Sequence, residues 1–161
     1  MCLNRLRLAC AFALLVAGCG GSDNPPGPSG VSSSTKTMTV TIDGAAYTPD
    51  FVTAVRANPG VETVTVAGST TSGTTVGFSA PAQVGVFNVN GPVTARGQGT
   101  MTIVSGSTGT GYLAFLTQGS GTVTISSINT TTVTGRVDLV MAPTSAPAAN
   151  KTVSGTFNVA F

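Results

Sequence analysis

Among the residues with reactive side chains, Cys19 has the most informative surroundings. Arg5 and Arg7 precede an apolar run from Leu8 to Ala17, and Val16-Ala17-Gly18-Cys19 closes it. Basic residues, a short apolar segment and small residues ending at a cysteine form the plan of a bacterial lipoprotein signal peptide. Cleavage between Gly18 and Cys19 would leave Cys19 as the lipidated residue of the mature chain. Each acyl methylene contributes about 0.8 kcal/mol of membrane affinity, so several chains together anchor permanently. A membrane-spanning helix needs roughly 20 apolar residues; the run here is shorter, and Gly18-Cys19-Gly20-Gly21 ends it. Cys2 and Cys10 leave with residues 1–18, so no disulfide forms within the mature chain.

The remaining reactive groups are few. The chain has no histidine, which excludes His-based triads, Cys-His dyads and the usual zinc sites. Paired-carboxylate hydrolysis needs two acids flanking one bond, and the candidates are Asp43, Asp50, Glu62 and Asp138. Asp43 belongs to a turn, Asp138 alternates with Arg136 on an exposed face, and Glu62 follows the turn glycine Gly60. Only Asp50, after Pro49, lacks a structural reason. No cluster of oxygen ligands suggests calcium. The chain therefore reads as non-enzymatic, with no metal and no cofactor. All five acidic residues lie after Cys19, where Lys36, Arg56, Arg96, Arg136 and Lys151 balance them; the net +2 belongs to Arg5 and Arg7. A neutral mature chain offers no basic patch to the phosphates of a nucleic acid.

The elements that would position these residues are β-strands. Residues 19–37 form a lipidated cysteine followed by a Gly/Ser/Pro tether with almost nothing apolar to bury. Fully extended it reaches roughly 60 Å. Residues 38–161 then read as a single all-β domain with strict period-two alternation. Met38, Val40 and Ile42 oppose Thr37, Thr39 and Thr41; Val64 and Val66 alternate with Thr63 and Thr65; Met101 and Ile103 with Thr100 and Thr102. Val123 and Ile125, then Val137, Leu139 and Met141, then Val153, Phe157, Val159 and Phe161 continue the pattern. Asp43-Gly44 is a hairpin signal, and Asn58-Pro59-Gly60, Ser72-Gly73, Asn90-Gly91-Pro92, Ser105 to Gly111 and Gly119-Ser120-Gly121 punctuate the rest. Nine or ten short antiparallel strands suit a β-sandwich or, alternatively, a small closed β-barrel.

Two residue groups invite a binding site. The aromatic residues read mostly as core, but Tyr112 and Phe115 have opposite parity along Gly111-Tyr112-Leu113-Ala114-Phe115-Leu116. The apolar character of that whole run favours a strand buried on both sides. The pairs Thr37/Thr39/Thr41, Thr63/Thr65, Thr100/Thr102, Thr122/Thr124 and Thr132/Thr134 resemble the Thr-x-Thr rows of ice-binding proteins. Their unequal intervals give no solenoid period, so the wet faces of ordinary strands explain them better. Sequence alone singles out no ligand-binding residue.

The order of lipobox, tether, an opening "TVTIDGAAYTP" strand, "GSGTVTISSINTTTVTGRVDLVM", a loop and a closing "KTVSGTFNVAF" resembles a group of small bacterial lipoproteins of unknown function. These open with an IDGxxY/F strand and finish on a GxFxV strand pair. Gly135-Arg136-Val137 departs from the Gly-Thr-Phe that the pattern favours. The resemblance implies an all-β domain with antiparallel C-terminal strands and no established catalytic residue. Gly20 after Cys19, where aspartate would stand for retention, resembles the enteric rule for export to the outer membrane. The expectation is a lipid-anchored protein of the bacterial cell envelope, at the outer membrane. It would act as a binding or interaction module for an envelope protein, a glycan or a lipid. The alternative is a small β-barrel holding an apolar or lipid ligand.

Overall fold

The structure is a computed structural model that describes residues 36–58 and 60–161. The signal segment 1–18 with Gly18, the lipidation residue Cys19 and the tether up to residue 35 lie outside the described residues. Eleven strands follow: β1 (Thr37–Ile42), β2 (Ala45–Tyr47), β3 (Phe51–Ala57), β4 (Thr63–Ser69), β5 (Thr75–Pro81), β6 (Gly85–Asn88), β7 (Gln98–Ser105), β8 (Thr108–Ala114), β9 (Ser120–Ile128), β10 (Thr132–Pro143) and β11 (Lys151–Ala160). Among the described residues the only helical turn is Val93–Ala95, between β6 and β7.

Every strand pair is antiparallel, and the strands form two faces. Sheet I orders β2-β1-β11-β10-β9-β6. Sheet II orders β3-β4-β5-β7-β8. The twelve-residue β10 joins them: its body pairs with β9 and β11, and its last residues, Ala142 and Pro143, pair with Leu113 and Tyr112 of β8. The right-handed twist of a strand this long carries one end out of one sheet and into the other. The path does not close, because β2, β3 and β6 each pair with a single neighbour. The fold is the antiparallel β-sandwich, and the closed-barrel alternative is wrong.

The alternation builds the core as the sequence implies. Met38, Val40, Val64, Val66, Met101, Val123, Ile125, Val137, Leu139, Met141, Val153, Phe157 and Val159 are all buried. Across the sandwich, Phe78 of sheet II meets Phe157 of sheet I with ring centroids 4.8 Å apart. Large side chains from one sheet lie over small residues of the other. A Cβ on Gly99 of β7 would stand 2.5 Å from both Leu139 Cδ1 and Met141 Cε, so glycine is what lets the β10 side chains reach that depth. The space between the sheets is thus occupied by side chains, where the barrel reading placed an apolar ligand.

Three local expectations need correction. The break read from Ser105 to Gly111 is a tight turn at Gly106-Ser107, and Thr108 to Gly111 already belong to β8, paired with β7. Their Gly/Thr composition suits a turn, but pairing with Thr102–Ser105 overrides it. Phe161, set on the inner face by the alternation, lies just past β11 and is 36% exposed. Phe115 also lies outward, because β8 ends at Ala114 and a two-residue turn closes between Phe115 and Gln118.

Candidate functional site

Ser79 of β5 and Gln98 of β7 are cross-strand partners, and Gln98 Nε2 donates to Ser79 Oγ at 2.6 Å. Phe78 and Ala80 turn into the core, so the pleat sends Ser79 to the outer face of sheet II, the side shared by Thr63, Thr65 and Thr100. Ser79 is nevertheless only 7% exposed. The segment between β6 and β7 covers this part of the face, with its helical turn packed against β5.

That segment is pinned by backbone hydrogen bonds. The Asn88 carbonyl accepts from both Gly91 N and Gly97 N at 3.1 Å, Ala95 N donates to Pro92 O, and Val89 N donates to Gly121 O. Gly97 closes the loop in tight quarters: a Cβ there would lie 2.6 Å from Phe87 O and 3.1 Å from Val123 Cγ2. Arg96, the residue before it, is thereby set over Phe115 with its Cζ 5.5 Å from the ring centroid, inside the range of a cation–π contact. Arg96 Nε is closed off from solvent and has no hydrogen-bond partner.

Two cavities open on this face. One of about 170 Å³ is walled by Val61, Val93, Arg96 and Phe115 over a floor that includes Ser79 and Gln98. The other, about 190 Å³, shares Ser79 and Gln98 and continues past Thr65 and Thr100. Neither is lined by a carboxylate. Val93 is 80% exposed and Phe115 37%. Together they make a shallow trough with an arginine at one end, a hydroxyl and amide floor, and apolar walls. Such a lining sets hydrogen-bonding groups beside apolar walls.

The acids singled out from sequence are dispersed. Asp43 sits at the β1–β2 turn, where Oδ2 accepts from Lys151 Nζ at 2.6 Å and Oδ1 from Thr152 N at 2.8 Å. The Lys151 ammonium and then the Thr152 N–H hold the Asp43 carboxyl below its ordinary value. Asp50 gains the structural reason that sequence lacked: its Oδ2 accepts from Thr71 N at 2.6 Å, tying β3 to the β4–β5 turn. Glu62 pairs with Arg56 at 3.4 Å. Asp138 is exposed on β10 beside Arg136, as alternation implies. Among the described residues no three His, Cys, Asp or Glu side chains converge.

The threonine rows divide between two outer faces. Thr39, Thr156, Arg136 and Thr124 lie side by side across sheet I, and Thr41, Ser154, Asp138 and Thr122 form the next row. Thr63, Thr65, Thr100 and Thr102 belong to sheet II. A charged pair therefore interrupts one face, and Thr41 and Ser154 hydrogen-bond to each other at 3.1 Å.

Val61, Ser79, Val93, Arg96 and Gln98 were not legible as a site in the sequence, and the odd parity of Phe115 was the only signal. No family model matches the chain, nor does any curated protein or any solved structure.

Proposed function

We propose that this chain is a bacterial envelope lipoprotein, anchored through Cys19 at the outer membrane, whose β-sandwich serves as a non-enzymatic binding module. The Arg5-to-Cys19 segment supports the anchor, and the trough on sheet II supports the binding role. The single observation that carries it is the convergence of a half-buried Arg96 and the Ser79–Gln98 pair between the exposed apolar residues Val93 and Phe115. Ligand sites of this kind place a few fixed polar groups among apolar walls.

Cell fractionation of Cys19→Ala tests the anchor: this form is expected in the soluble fraction, and retention in the membrane after normal processing refutes lipidation. The trough is tested with Val93→Asp, a change at a side chain too exposed to support the fold. Wild-type chain is expected to bind immobilised envelope fractions (polysaccharide, lipid or protein) and Val93→Asp to lose that binding. Equal retention of both forms would refute the trough as the site. External protease on whole cells then reports whether the domain faces outward or the periplasm.

A further inference from the structure

The trough has the chemistry of one ligand class, an inference that rests on the binding-module reading above. Arg96 is the only charged residue lining either cavity. Arg56 and Lys151 elsewhere are ion-paired, with Glu62 and Asp43. The guanidinium of Arg96 instead donates to no described residue, and its Nε is shut away from water. Its one described partner is the Phe115 ring, 5.5 Å from Cζ, so no carboxylate among the described residues neutralises the cation at this cavity. The Phe115 ring lies to one side of the guanidinium, and its terminal N–H donors, which bond no described residue, can engage a planar anion. A carboxylate matches that fork.

The rest of the trough says what carries the carboxylate. Two small cavities joined across Ser79 and Gln98 suit an extended ligand of linked units better than one bulky body. Their lining of threonine hydroxyls with Ser79 and Gln98 offers hydrogen bonds along its length. Val61 and Val93 offer apolar contact to one side. Sugar rings present both kinds of surface, with hydroxyls at the edge and C–H groups on the face. A fatty acid would leave the hydroxyl floor unmatched. We propose that the trough binds an acidic glycan, with a hexuronate carboxylate on Arg96 and neighbouring sugar hydroxyls along Gln98, Thr65 and Thr100.

The test is calorimetric titration of the full-length chain in detergent with trigalacturonate and trimannuronate, each beside its neutral, carboxyl-reduced form. At least one acidic trisaccharide is expected to bind tenfold or more tightly than its neutral form. Arg96→Gln should remove that preference, and Arg96→Lys should retain some of it. Unaltered thermal midpoints for both variants establish that the fold is intact. The proposal fails if neither acidic sugar is preferred, if the preference survives Arg96→Gln, or if a tripeptide with a free C-terminal carboxylate binds more tightly than either sugar. Should these fail while Val93→Asp still abolishes binding to envelope fractions, the ligand class is wrong and the binding site stands. If Val93→Asp is without effect, the site itself is wrong.

Discussion

Replacing Gly97 with alanine adds one methyl group at the point where the loop carrying Arg96 rejoins the sheet. The new Cβ would stand 2.6 Å from Phe87 O and 3.1 Å from Val123 Cγ2. The first neighbour is backbone of a strand paired to β9, and the second is a fully buried side chain, so neither yields by rotating a free end. Separating the methyl group from the carbonyl oxygen requires the loop to move outward by several tenths of an ångström. That stretches the Gly97 N to Asn88 O bond, already 3.1 Å long. Overpacking of this kind costs about 1–3 kcal/mol, which lowers the thermal midpoint of a domain this size by roughly 4–12 °C. Urea unfolding followed by circular dichroism would read the loss as a lower midpoint at unchanged slope. Gly109→Ala is the control, since its Cβ would meet only Thr102 Cγ2 at 3.6 Å, an ordinary contact expected to change stability by less than about 0.5 kcal/mol. If Gly97→Ala were as stable as Gly109→Ala, the loop would not be seated as described, and the placement of Arg96 would lose its footing.

Three further outcomes are expected. Tyr47 is buried with its hydroxyl 2.9 Å from Gly68 O and 3.1 Å from Thr74 O; Tyr47→Phe should cost about 1 kcal/mol in urea unfolding by removing that hydrogen bond. Leu116 has φ +56°, a conformation that costs a non-glycine residue about 1–2 kcal/mol, so Leu116→Asn should raise the thermal midpoint; a fall would show that the leucine side chain holds the turn. Folding lowers the Asp43 pKa, so its contribution is complete above the ordinary carboxylate range and is lost as pH falls through the lowered value. Lys151→Met should therefore move the Asp43 titration, followed by NMR, back up, and make stability less sensitive to acid.

The antiparallel all-β class was legible because burial in an antiparallel sheet imposes a period of two that Val40, Val66, Met101, Ile125, Leu139 and Phe157 all obey. The choice between sandwich and barrel was not, since it depends on where pairing stops, and nothing in Phe51-Val52-Thr53-Ala54-Val55 marks β3 as an edge. The trough was hidden for another reason. Its residues come from the β3–β4 turn, β5, the β6–β7 loop, β7 and the end of β8, and their hydroxyl and amide side chains look in sequence like any solvent-facing row. Phe115 misled because the run through Leu116 is uniformly apolar, whereas the turn that follows Ala114 reverses the chain and leaves the ring outside.

The pairing of β1 with β11 has a mechanical consequence. A load applied through the segment before Thr37 enters β1 at its first residue, and β1 is held to β11 by an unbroken run of pairs from Thr37–Asn158 to Ile42–Val153. Drawn along the strand axis, those rungs share the load and must slip together. Drawn away from the sheet, they break in succession, beginning at Asn158. Tension entering through β1 is therefore resisted according to its direction, with the β1–β11 seam as the first element to yield.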